Sequence, residues 1–168
     1  DAGAAGDVPS AVDAGSATGR VVINELRATG GDWVELYNPG TAPVDLGGYI
    51  LADTDTMADG GAPRLAEATT FPAGTTLAPR AHLLVVVDLT DAGAGVQTGC
   101  LMGQAAQCLH GRFGISAGNG ETVYLLDPTM RVVDAALYPP NAAPTDPTWG
   151  RVPHGTGAFV VTPPPPPP

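Results

Sequence analysis

The sequence predicts an all-β protein built as a sandwich of two packed sheets. Short β-rich runs recur along the chain: VVINELR, DWVELYN, TTLAPRAHLLVVVD, ETVYLLD and RVVDAALY, with Gly- or Pro-containing turns between them. No stretch keeps a helical period for more than two turns. The 168 residues, 43% of them hydrophobic, suffice for one domain with a core plus tails.

Each element follows from local composition. Residues 1–19 are Ala, Gly, Asp and Ser with almost no large apolar side chain, so they predict a flexible linker that cannot offset its ordering entropy. Residues 20–162 form the predicted sandwich. Val21–Arg27 is the first strand, ended by the ATGGD turn, and Asp32–Asn38 is the second, ended by NPG. Val44–Asp53 is expected to be one strand with a bulge at Gly47-Gly48. Leu65–Thr69 offers one helical turn at most. Leu83–Val87 is the most apolar run and predicts a central strand. Glu121–Asp127 and Arg131–Tyr138 flank PTM as a hairpin, and TWGRVP and AFVVT add short late strands. Residues 163–168 are proline and predict a polyproline II spacer. The connections Thr54–Ala73 and Asp88–Arg112 exceed usual loop lengths, which makes them places for added function.

Side-chain parity raises a question in the second strand. Val34 and Leu36 share one face, while Trp33, Glu35 and Tyr37 share the other. The period does not say which face packs on the opposite sheet. In the first strand, uninterrupted alternation puts Glu25 on the face of Val21, Ile23 and Arg27, where Glu25 and Arg27 could neutralise each other.

Charge narrows the function classes. Seventeen acids face seven arginines and no lysine, for a net charge of -10. That balance opposes nucleic acid and anionic membrane surfaces, whose phosphates need a basic patch. No apolar run approaches the ~18 residues of a spanning helix. Cys100 and Cys108 share one Gly/Gln/Ala-rich segment and match no zinc or CxxC redox spacing. The expectation is a local disulfide, which implies an oxidising compartment. The chain begins at Asp1 with no signal peptide, so any export signal is expected either to have been cut off or to lie outside this sequence.

Several patterns carry candidate chemistry. Glu25 and Glu35 on adjacent strands resemble paired glycosidase carboxylates, but strand glutamates more often serve cross-strand bonding. GISAG at Gly114–Gly118 matches G-x-S-x-G, and Asp134 and His154 follow Ser116 in hydrolase order. A nucleophile elbow needs a strand before the serine and a helix after it, and here the segment runs straight into a strand. Asp53, Asp55 and Asp59 in DTDTMADGG form a weak calcium candidate, the only cofactor expectation. Met57 and Arg64 stand where an EF-hand loop needs oxygen ligands. His82, His110 and His154 are scattered without a metal-site spacing; His82 reads as a surface strand residue and the other two as loop residues.

Four blocks resemble the lamin tail domain family: VVINELRA with GDWVELYNPGTAPVDLGGYILAD, then FPAGTTLAPRAHLLVV, FGISAGNGETVYLLDPTMRVVDAALY, and GRVPHGTGAF. Arg80 replaces a usual glycine, and the segment with Cys100 and Cys108 is an insertion. The resemblance spans roughly residues 20–162. It implies an immunoglobulin-like β-sandwich without a catalytic centre, with Asn24, Glu25, Trp33, Glu35, Tyr37, Asn38, Asp45, Gly120, Glu121 and Asp134 as fold-typical residues. Bacterial versions occur in secreted or surface proteins, fused to other modules. The linkers, acidity and expected disulfide favour that setting: an extracellular or cell-envelope module, lipid-anchored as one option, that acts in adhesion or scaffolding. Its expected partner is a protein or a glycan, alongside further domains of the same polypeptide. A calcium-dependent binding module on the 53–59 loop and a small hydrolase are the alternatives.

Overall fold

A computed structural model describes residues 20–54, 61–87, 95–98, 107–145 and 147–163. Its strands are β1 (Val22–Arg27), β2 (Trp33–Tyr37), β3 (Val44–Asp45), β4 (Ile50–Ala52), β5 (Thr69–Thr70), β6 (Thr76–Leu77) and β7 (His82–Val86). They continue as β8 (Gly95–Thr98), β9 (Gln107–His110), β10 (Glu121–Leu126), β11 (Val132–Tyr138), β12 (Thr148–Val152) and β13 (Ala158–Thr162). Among the described residues there is one 3-10 turn, Leu65–Glu67, and no α-helix, so no helix there is long and apolar enough to cross a membrane.

The strands build a seven-stranded sheet in the order β13-β12-β1-β2-β7-β9-β8, a four-stranded sheet in the order β11-β10-β4-β5, and a β3-β6 pair, all among the described residues. Strands β7 and β9 run parallel; the other described pairs are antiparallel. The two larger sheets pack as an all-β, immunoglobulin-like sandwich over one core. Ile23, Leu26, Val34, Leu36 and Val85 supply it from the large sheet; Leu51, Val123, Leu125, Ala136 and Tyr138 supply it from the small one. Removal of this much apolar surface from water is the main force joining the layers.

The parity question in β2 resolves with Val34 and Leu36 in the core. Trp33, Glu35 and Tyr37 lie on the outer face, yet Trp33 and Tyr37 are buried and Glu35 half-buried, because that face is partly covered. Parity in β1 departs from simple alternation. Val21 and Ile23 are in the core, and then Leu26 and Ala28. The register explains the skip: Ile23 opposes Leu36 but Glu25 opposes Glu35, so Asn24 is an inserted bulge residue. Glu25 therefore does not share a face with Ile23, and its carboxylate accepts from the Thr148 and Thr162 hydroxyls.

Other expectations are also corrected. Val44–Asp53 is not one bulged strand. A turn, with Tyr49 N–H donating to Leu46 O at 3.0 Å, separates β3 from β4, and the two join different sheets. Two glycines permit a full change of direction there, not only a kink. Much of the expected Asp88–Arg112 loop carries β8 and β9, which widen the large sheet, so His110 ends a strand instead of sitting in a loop. The loop after β4 holds the 3-10 turn and β5. The β10–β11 hairpin is closed by Asp127, whose Oδ1 accepts from Thr129 N at 2.8 Å and Arg131 N at 3.1 Å. The Thr129 hydroxyl adds a third bond, and these contacts hold the Asp127 carboxyl below its ordinary range.

Candidate functional site

The bulge in β1 creates a polar cluster on the outer face of the large sheet. Asn24 is 1% exposed. Its Oδ1 accepts the Gly155 backbone N–H at 2.9 Å, which fixes the orientation of the amide. Nδ2 then donates to Glu35 Oε1 at 2.8 Å and to His154 Nδ1 at 2.8 Å. In that contact His154 uses Nδ1 as an acceptor, so the neutral ring carries its proton on Nε2.

Strand β7 adds the next group. Its register places His82 opposite Tyr37. The two rings stack with centroids 4.6 Å apart and an interplanar angle of 25°. His82 Nε2 is 3.8 Å from Glu35 Oε1. The His154 ring meets His82 edge-on at 5.3 Å and 69°. One nitrogen from each imidazole and one oxygen of Glu35 thus lie within 4.8 Å of one another. Glu35 is half-buried and both histidines are exposed.

His154 arrives on the turn between β12 and β13, which lies over Tyr37. Gly155 has φ of +75°, and a Cβ there would stand 2.8 Å from Tyr37 Cδ1. Only glycine lets the backbone rest on that ring. Burial pushes the Glu35 carboxyl above its ordinary value. The Asn24 bond and the two histidines oppose the rise, and the Glu25 carboxylate opposite adds to it.

A second pair of acids meets at the sandwich edge. Asp53 follows β4 and is 4% exposed, and its Oδ1 has no hydrogen-bond partner among the described residues. Glu121 opens β10 and accepts the Ser116 N–H at 2.7 Å. Burial drives Glu121 up to about 7, with the Asp53 charge adding to the rise. Burial also raises Asp53. The calcium candidate thus contributes Asp53 here, while Asp55 and Asp59 lie outside the described residues.

The remaining motif residues bind parts of the fold to each other. Asn38 is fully buried; its Nδ2 donates to Ala42 O, Leu77 O and Ala78 O, and its Oδ1 accepts from Gly40 N. Asp45 Oδ1 accepts from Gly47 N at 2.8 Å in the exposed turn after β3. Gly120 has φ of +75°, and a Cβ there would lie 2.6 Å from Pro140 Cδ. Glu25 accepts from the Thr162 hydroxyl at 3.1 Å and from the Thr148 hydroxyl. Ile23 lies beyond the β1–β12 ladder, which pairs Glu25 and Leu26. Its N–H donates to Asp134 Oδ2 at 2.8 Å and its carbonyl accepts from Arg151 Nε at 2.9 Å; Asp134 and Arg151 pair at 3.4 Å. Two side chains thus take over where the backbone ladder stops.

These bonds separate the hydrolase-order residues. Ser116 sits in a turn whose carbonyl accepts from Gly120 N, with no helix after it. Asp134 is bound to β1 and Arg151, and His154 to Asn24. The Cys100–Cys108 expectation lies outside the described side chains, although the Cys108 backbone is part of β9. Two features were not visible in sequence. The histidines that looked scattered include two that converge, and Asp32 anchors the Ile115 N–H at 2.7 Å across 83 residues.

A family model described as Lamin Tail Domain matches residues 14–139, well over half of the chain. The chain belongs to the lamin tail domain family. Lamin tail domains are non-catalytic, immunoglobulin-like interaction domains. No curated protein matches the chain. Within this lamin tail domain the matched range ends before β12 and β13, which complete the large sheet on β1. His154 therefore belongs to a part of the sandwich outside the family match.

Proposed function

We propose that this lamin tail domain is a protein-binding module of a larger secreted or cell-envelope bacterial protein, where it positions or attaches the domains joined to it. The observation that carries this reading is the use of the motif carboxylates. Glu25, Glu35, Glu121 and Asp134 each bind a group on another strand or loop, up to 137 residues away in sequence. Acids spent on cross-strand bonds stiffen a scaffold, and a stiff sandwich presents its loops in fixed places. An acidic surface without lysine, linker-like ends and two cysteines in one segment support the extracellular setting.

The experiment fuses the domain to a soluble reporter enzyme and incubates the fusion with washed bacterial cells. The fusion is expected to stay with the cell fraction in a saturable way and to be released by protease treatment of the cells. A fusion that washes off as readily as the bare reporter overturns the proposal. Retention that survives protease treatment but not glycan removal would replace the protein partner with a carbohydrate.

A further inference from the structure

The geometry points to a mononuclear site for a zinc-type divalent ion, held by Glu35, His82 and His154, that fastens the β12–β13 turn to the outer face of the large sheet. The donor set selects the class of ion. Two imidazoles and one carboxylate suit zinc and its transition-metal neighbours, whereas calcium and magnesium take oxygen ligands. The spacing is close to what such an ion needs. Bonds of about 2.1 Å in tetrahedral geometry place ligand atoms roughly 3.4 Å apart. The three donor atoms already lie within 4.8 Å of one another, so closure takes about 1 Å of movement by side chains of which two are exposed.

The supports of the three ligands are also in place. Tyr37 stacks under His82 and sets its ring plane. Asn24, itself held by Gly155 N–H, draws Glu35 Oε1 and His154 Nδ1 to one point, each 2.8 Å from the same amide nitrogen. Both lone pairs bond that amide, so an ion coordinated by these atoms takes the place of the Asn24 N–H donors. Glu25, directly opposite Glu35 in register, adds negative potential. The ligands come from β2 and β7, which the backbone ladder already pairs, and from the β12–β13 turn, so the join that a bound ion adds is between the turn and those two strands. Three protein ligands leave a four-coordinate ion one open position, on the solvent side where both histidines are exposed.

The test uses the whole chain, stripped with chelator and with any free thiol alkylated so that cysteine cannot bind the metal. Zinc chloride is titrated by calorimetry and by thermal unfolding, and the three histidines are followed by NMR. His110, about 13 Å along the sheet at the far end of the β7 register, serves as the internal reference. One ion per chain is expected, with a raised unfolding midpoint. The resonances of His82 and His154 should move while those of His110 stay. His154→Ala and Glu35→Gln, checked for folding by circular dichroism, should each weaken binding by about tenfold or more. Absent binding, binding at wild-type strength in both variants, or movement of His110 in place of the other two would overturn the site. The NMR titration of the wild-type chain decides the matter even if a variant fails to fold.

Discussion

The Asn24 side-chain amide donates to Glu35 Oε1 at 2.8 Å across the bulge that its own insertion creates. The same nitrogen reaches His154, and the amide oxygen holds Gly155. One buried amide therefore joins β1, β2 and the β12–β13 turn. Asn24→Ala removes these bonds and leaves a half-buried carboxylate short of a donor. A loss of about 2 kcal/mol in urea unfolding is expected. A change within about 0.5 kcal/mol would show that the cluster does not hold the turn.

The Glu121 carboxyl gives a pH signature. Its value rises from an ordinary 4.5 to about 7 on folding, so the folded state binds the proton more tightly. The associated stability is complete below about pH 4.5 and is lost as pH rises through about 7. Solvent reaches this half-buried group, which screens the effect to on the order of 1 kcal/mol. Glu121→Gln keeps an acceptor for the Ser116 N–H and removes the charge. Its unfolding midpoint at pH 8 should exceed that of the parent, and the two should converge near pH 5. Parallel pH profiles would refute the assignment.

Gly155 tests the contact with Tyr37. In Gly155→Ala, the methyl group meets the ring at 2.8 Å and the backbone keeps an unfavourable positive φ. The expected cost is about 1–2 kcal/mol, and the NMR signals of His82 and His154 should lose their ring-current shifts as the turn lifts. An alanine variant with unchanged histidine spectra would mean that the turn tolerates a side chain there.

Tyr138 ends β11 fully buried, and its hydroxyl accepts from Ala143 N at 3.1 Å and donates to Ala143 O at 3.2 Å. Tyr138→Phe fills the same space but strands both backbone groups. Chemical denaturation should show a loss of about 1–3 kcal/mol with an unchanged m-value. A neutral substitution would require that water replaces the hydroxyl.

Much of the fold was legible because strand signals are local. The β-rich runs of β1, β2, β7, β10 and β11 stand between Gly and Pro turns, and each strand forms within its expected run. The split of Val44–Asp53 was not legible, since Gly47-Gly48 permits either a bulge or a turn, and only pairing with β6 and β10 selects the turn. Asn24 was legible as a motif residue but not as a bulge. Its register shift depends on where β2 lies, and that shift reverses the faces of Glu25 and Leu26.

The sequence by itself determined an all-β sandwich of the lamin tail type, an acidic charge balance and the motif residues that hold the strands together. These rest on composition, alternation and turn chemistry, which act between near neighbours. Tertiary structure alone decided that His82 and His154 meet over Glu35. Those residues are 47, 72 and 119 positions apart, so no period or spacing links them. Their meeting depends on the β2–β7 register and on a glycine turn resting on Tyr37, and long-range strand pairing leaves no local trace.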